Sequence, residues 1–223
     1  MKILALETSS EFCSVALLSG DAILARETLA GQRHSELLLP MVDEVLAEGG
    51  LKLRELDGIA FGSGPGGFTG LRIACGVAQG LAFGAELTVV GVCTLEALAE
   101  QAGVERVIAA LDARMGQIYH AAYEREGSDW REVREPTLCQ PLDAPQVAEA
   151  GWTGCGSGFD AHDATLRERY DGRLARVVPG LHPRAREVAR LAAPRFAAGR
   201  GTDPAEAHPL YVRNKVALKT HER

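Results

Sequence analysis

Apolar residues run unbroken from Ile3 to Leu6, and Glu7 closes the run. A short apolar stretch followed by the polar Thr8-Ser9-Ser10-Glu11 predicts a buried strand and a turn. Cys13 to Leu18 and Ala22 to Leu29 give two more strands around the tight turn Ser19-Gly20-Asp21. The chain therefore opens as a three-stranded meander. A helix is expected from a Ser35 cap to about Glu48, stopped by Gly49-Gly50, with Pro40 bending or restarting it. Asp57 to Phe61 form a short strand and Gly62 to Gly67 a glycine-rich loop, and a long helix follows to about Phe83. Thr88 to Val92 and Thr94 to Gln101 add one more strand and one more helix.

After Gly103 the pattern starts again in a looser, shorter form. Strands are expected over Arg106 to Leu111, Gln117 to Tyr123 and Arg131 to Arg134, with short ones near 152–155 and 174–178. Helices are expected near 143–150, 160–169 and 184–198. Three antiparallel strands followed by parallel strand–helix units make an α/β protein of mixed sheets with packed helices. The expected division is residues 1–102, a reduced second unit over 103–207 and a basic tail over 208–223.

Two helices carry more apolar surface than one sheet covers. Between Leu71 and Phe83 only Arg72 and Gln79 are polar, and a helix apolar on nearly every side is buried on nearly every side. Yet Gly76 and Gly80 stand in its interior, each costing about 0.8–1.0 kcal/mol relative to Ala. Gly76, Gly80 and Gly84 form one row at spacing four, and Gly70, Ala74 and Ala78 another. Such smooth rows admit a neighbouring backbone. In the earlier helix Leu38, Met41, Val42, Val45 and Leu46 make a core stripe that Leu37 and Leu39 widen. Either the second unit or a partner protein covers the excess.

The 223 residues hold 46% hydrophobic and 24% charged side chains, ordinary globular usage that excludes disorder. The net charge of −6 is uneven: residues 1–100 hold 6 Lys/Arg against 13 Asp/Glu. Between Arg167 and Arg200 nine arginines face three acids. These arginines form either solvated helix faces or a contact surface, and the chain as a whole is no basic nucleic-acid binder. Five scattered cysteines without a CxxC pair fit free thiols in a reducing cytosol. No apolar run reaches the roughly 20 residues that span a bilayer, and Glu7 interrupts the first run too early for a signal peptide.

Gly62, Gly64 and Gly67 formally satisfy G-x-G-x-x-G, but three meander strands precede them and no acid ends the next strand, so the dinucleotide reading is weak. The loop is either an anion cradle or a sharp turn for tight packing. Glu7, with Thr8 and Ser9, either holds a metal-bound water or phosphate or hydrogen-bonds its own turn. Asp112 and Arg114 either line a cleft or shape a loop. The six histidines are scattered, and none shows His-x3-His spacing.

Several segments carry a resemblance: Leu4-Ala5-Leu6-Glu7-Thr8-Ser9-Ser10, His34-Ser35-Glu36-Leu37-Leu38-Leu39-Pro40, the block from Gly62 to Arg72, Leu111-Asp112-Ala113-Arg114-Met115-Gly116-Gln117-Ile118-Tyr119, and Pro209-Leu210-Tyr211-Val212-Arg213. They span the chain in order and resemble the TsaB family of tRNA threonylcarbamoyladenosine synthesis. The resemblance implies two actin-like lobes and a cytoplasmic, non-catalytic scaffold that pairs with a catalytic paralogue, TsaD. It implies an ATPase partner, TsaE, and tRNA bound through the complex, with no membrane partner. ATP and metal belong to the partner subunits, with no cofactor intrinsic to this chain. The implied pairing face comprises His34, Leu37, Leu38, Met41, Val42 and Val45 on one helix and Gly70, Leu71, Ala74, Gly76, Val77, Ala78, Gly80 and Leu81 on the other. Alone, the chain has the same face free to pair with itself. The implied degenerate cleft holds Glu7, Thr8, Ser9, Asp112 and Arg114. The paralogue's His-x3-His metal pair aligns with Thr94 and Leu98, which are not ligands. A degenerate ATPase or kinase and a glycoprotease-like peptidase are the alternatives.

Overall fold

A computed structural model describes residues 1–212. The opening meander forms as expected: β1 (Lys2–Glu7), β2 (Phe12–Ser19) and β3 (Ala22–Leu29) pair antiparallel. Next come α1 (His34–Glu48), β4 (Gly58–Gly64), α2 (Phe68–Ala85), β5 (Val89–Cys93) and α3 (Thr94–Ala102). β4 and β5 join parallel to β1, giving the order β3-β2-β1-β4-β5. The second half supplies β6 (Arg106–Asp112), β7 (Ile118–Glu126), β8 (Asp129–Cys139), β9 (Trp152–Cys155), α4 (Ser157–Arg169), β10 (Leu174–Val178) and α5 (Ala185–Ala197). Its sheet runs β8-β7-β6-β9-β10, again three antiparallel strands and then two parallel. The two mixed sheets share one topology, that of two actin-like lobes.

Strand alternation decides what each sheet face covers. Leu4 and Leu6 point to the α1/α2 side, into a core with Val15, Leu38, Val42, Val45 and Ala74. Ile3 and Ala5 point the other way, as successive strand side chains must. That second face is covered by α5 through Ala185, Val188, Ala189 and Ala192. The expected division placed this helix in the 103–207 unit; its packing puts it on the first sheet. The reverse exchange holds for α3, whose Leu95, Leu98 and Ala99 pack on Val107, Ala109 and Ala121 of the second sheet. The other face of the second sheet buries Phe159 and Leu166 of α4. The exchanged helices meet where Arg195 donates to both carboxylate oxygens of Glu96, at 2.5 and 2.6 Å.

Four local expectations are corrected. Ser35 does not cap α1: the cap position is Arg33, whose carbonyl takes the Glu36 and Leu37 N–H groups. Pro40 does not restart the helix, which runs on through it, because its ring is exposed while Leu38, Met41 and Val42 anchor both flanks. It removes one N–H and no packing contact of the core stripe. No helix forms over 143–150; a short 3₁₀ turn covers Pro141–Asp143. Pro145 disfavours the helical region for the residue before it, and buried Ala144 and Val147 tie this stretch to the core. That missing helix is where the second lobe is reduced. Finally, β8 is much longer than the expected 131–134.

Candidate functional site

The glycine-rich segment is shorter as a loop than the sequence suggests, since Gly62 to Gly64 complete β4 and Gly67 caps α2. Around it the end of β1 is packed shut. A Cβ on Gly62 would lie 1.8 Å from Glu7 Oε2, one on Gly66 2.7 Å from the Ser9 carbonyl, and one on Gly70 1.8 Å from the Thr8 carbonyl. These glycines are needed for close packing. The polar groups are also turned inward. Glu7 Oε1 accepts the Ser9 N–H at 2.5 Å, the Gly67 N–H donates to the Ser9 carbonyl at 2.7 Å, and Thr8 Oγ1 donates to the Gly70 carbonyl at 2.7 Å. An anion cradle presents such N–H groups to a ligand; here two of them are spent on the protein itself.

Glu7 is 1% exposed. Burial pushes its carboxyl from 4.5 up to about 7, with Ser9 and Thr8 pulling the other way. Its Oε2 and the Ser9 Oγ are enclosed without a hydrogen-bond partner among the described residues. The reading of Glu7 as a group bonded to its own turn is the one the geometry realises. His34 fixes that turn from outside: Nε2 lies 2.9 Å from the Ser10 carbonyl and 3.2 Å from that of Phe12.

Asp112 ends β6 of the second sheet, and Arg114 follows it. Asp112 accepts the Arg114 N–H at 2.9 Å and pairs with its guanidinium at 3.2 Å, while Ser157 Oγ takes the Asp112 N–H at 3.0 Å. Arg114, Met115 and Gly116 are all left-handed, with φ of 62°, 56° and 71°. Asp112 therefore shapes a tight loop. Among the described residues, no hydrogen bond or ion pair joins it to Glu7, Thr8 or Ser9. Thr94 spends its hydroxyl on the Pro65 carbonyl at 2.5 Å, and Leu98 is core. A surface depression lined by Met1, Asp57, Thr88 and Phe196 lies at the opposite end of the first sheet.

The implied pairing face divides in two. His34, Leu38, Met41, Val42, Val45, Gly70, Leu71, Ala74 and Ala78 are buried inside the lobe and present nothing outward. The row Gly70–Ala74–Ala78 faces in, against β1 and β4. The other row faces out: Gly76, Gly80 and Gly84 are exposed, and among the described residues nothing lies within 4 Å of where a side chain would begin. Leu37, Val77 and Leu81 flank it half-buried. The structure adds Phe83, 79% exposed, Leu39, Phe68, Leu210 and Tyr211 to the exposed apolar set. Spacing four from Gly76 back to Arg72 and Phe68 was the sequence signal for the first turn of this ridge. Leu210 and Tyr211 arrive from the far end of the chain, in one of the segments that carry the resemblance, but no local pattern places them beside α2.

The arginine run is spread over α4, β10 and α5. Arg167 pairs with Asp163, Arg184 with Glu27 and Arg195 with Glu96, and Arg169 donates to the Ala144 carbonyl. The basic tail expected from 208 rests on Arg213, Lys215, Lys219 and Arg223, which lie outside the described residues.

The family model for TsaD, tRNA N6-adenosine threonylcarbamoyltransferase, matches residues 26–151. The tRNA threonylcarbamoyladenosine biosynthesis protein TsaB of Escherichia coli (strain K12) is 38% identical over 229 aligned positions, covering 98% of this chain and 97% of that protein. The Haemophilus influenzae protein of the same name is 37% identical, covering 98% and 96%. Among solved structures, YeaZ from Pseudomonas aeruginosa superposes with a TM-score of 0.87 at 39% identity, covering 94% of this chain and 99% of that one.

Proposed function

The chain belongs to the TsaB family of tRNA threonylcarbamoyladenosine biosynthesis proteins, and from that premise we propose that it works as a scaffold subunit without catalysis of its own. Its first lobe pairs with a TsaD-type catalytic subunit, and the pair acts with a TsaE-type ATPase on tRNA in the cytoplasm. No helix among the described residues is long and apolar enough to cross a membrane.

One observation carries this reading: the outward row Gly76–Gly80–Gly84 on α2. Each interior glycine costs the isolated helix roughly 1 kcal/mol relative to Ala. Among the described residues nothing occupies the space a side chain would fill. The cost is recovered when a second helix lies against the bare backbone, with Phe83 and Leu39 closing over it. The cleft supports the same conclusion from the other side. Two of its loop N–H groups, those of Ser9 and Gly67, are spent internally, and its carboxyl sits buried against Gly62. The peptidase alternative needs a reactive nucleophile. Burial instead pushes the Cys13 thiol up to about 11 and the Cys155 thiol to about 12, which keeps both protonated and unreactive near neutral pH.

Size-exclusion chromatography with light scattering on this protein mixed with the TsaD-type subunit of the same organism is the test. A one-to-one species is expected. Gly76→Leu or Gly80→Leu abolishes it while the thermal melt stays cooperative. A variant that pairs normally refutes the assignment of the face. Failure of the unmodified proteins to associate at micromolar concentration, with and without nucleotide and the ATPase, refutes the scaffold reading.

A further inference from the structure

The outward ridge of α2 does not end at Gly76. One turn earlier stands Arg72, its guanidinium carbon 3.2 Å from the centroid of the Phe68 ring and 5.4 Å from that of Tyr211. The two rings lie 5.8 Å apart, tilted by 37°. Phe68 belongs to the same ridge. Tyr211 is delivered by a strap that returns from α5 along the edge of the first lobe. Thr202 and Val89 exchange backbone hydrogen bonds of 2.9 and 3.0 Å. Gln79 Nε2 donates to the Pro204 and Ala207 carbonyls at 3.1 Å each, and the Leu210 N–H donates to the Ser63 carbonyl at 2.7 Å. A strap fastened at four points brings one aromatic ring to one cation.

That cation is exposed, and among the described residues no carboxylate pairs with it. The exposed charges on the neighbouring α1, Glu36, Asp43, Glu44 and Glu48, are acidic, in a lobe that is acidic as a whole. A lone arginine braced by aromatic rings has its planar fork pre-aimed, so less side-chain freedom is lost when it binds. Its position selects the class of ligand. It lies on the glycine ridge about 6 Å from Gly76, so any helix seated over the bare backbone passes beside it. A guanidinium fork matches a carboxylate in two parallel hydrogen bonds.

We propose that Arg72, braced by Phe68 and by Tyr211 of the C-terminal strap, determines the specificity of the pairing surface by binding a carboxylate on the partner helix that occupies the Gly76–Gly80–Gly84 row. This rests on the reading of α2 as the pairing face and adds two things to it: the partner's chemistry at one end of the groove, and a part for the strap in building the surface.

The test is titration calorimetry of the full-length protein against the TsaD-type subunit at low and high salt, with melts of every variant as folding controls. Arg72→Glu is expected to weaken pairing by at least ~30-fold, and Tyr211→Ala by about 3–10-fold, both effects shrinking at high salt. One Asp or Glu to Arg substitution in the partner's facing helix restores pairing to Arg72→Glu. Gly76→Leu separates the two levels. If it abolishes pairing while Arg72→Glu stays within about threefold of the unmodified protein, the face stands and the role of Arg72 is overturned. If both variants pair normally, the face itself is refuted and this inference with it. Loss of binding to purified tRNA, or of self-association, with subunit pairing intact also overturns it, in favour of a nucleic-acid or second-copy contact.

Discussion

Glu7→Gln raises stability at alkaline pH and leaves it unchanged in acid. The carboxyl is fully enclosed, with one oxygen against Gly62, and burial lifts it from 4.5 to about 7. An acid raised in the folded state favours folding least when it is charged. Below pH 4.5 it is neutral in both folded and unfolded chains and contributes no penalty. Between 4.5 and about 7 the unfolded chain releases a proton that the folded chain keeps, so stability falls as pH rises through that window. Above 7 the whole cost is present, about 3 kcal/mol for a gap of this size. Glutamine keeps the oxygen that accepts the Ser9 N–H and replaces the other with a neutral group, as protonation does. Urea unfolding of both proteins at pH 4 and pH 8 isolates the effect, because the other carboxylates titrate alike in each. The expected gain is near zero at pH 4 and about 3 kcal/mol at pH 8, which for a chain of this size corresponds to about 6–12 °C in melting temperature. A difference that is flat with pH, or a loss at pH 8, would mean that Glu7 is ionised and stabilised in the native cleft. The inward-turned reading of the site would then fail.

The two glycine rows of α2 give opposite results with the same substitution. Gly70→Ala drives a Cβ to within 1.8 Å of the Thr8 carbonyl and is expected to cost about 1–3 kcal/mol by urea titration; Gly76→Ala meets open space and is expected to gain about 0.8–1 kcal/mol. Glu7→Ala is expected to support tRNA modification at close to the unmodified rate in the reconstituted complex. A loss of about a hundredfold with assembly intact would assign Glu7 a chemical role.

The first sheet was legible because its signals are local: an apolar strand, two further strands joined by Ser19-Gly20-Asp21, and a glycine segment before a helix. The excess apolar surface on α2 was legible as well, but not its direction. Gly70–Ala74–Ala78 and Gly76–Gly80–Gly84 are both smooth rows at spacing four, and periodicity alone cannot say which one meets β1. That depends on Thr8 and Ser9, far from both in sequence. For the same reason the core stripe of α1 was assigned to the pairing face. The length of β8 was hidden by Glu132, Arg134 and Glu135, which point outward from a strand that covers little core. The exchange of α3 and α5 left no local trace, since each helix shows only an apolar stripe and nothing that names the sheet it will cover.

That exchange ties the order of folding to the order of synthesis. The chain has to be made as far as Ala197 before the first sheet gains its second cover, although all five strands of that sheet are complete by Cys93. Until then Ile3, Ala5, Ala16 and Val90 form an open apolar face, and contacts this distant in sequence form slowly. Early termination anywhere in the second half therefore damages the first half, and a nascent chain paused there is a substrate for chaperones rather than a finished domain.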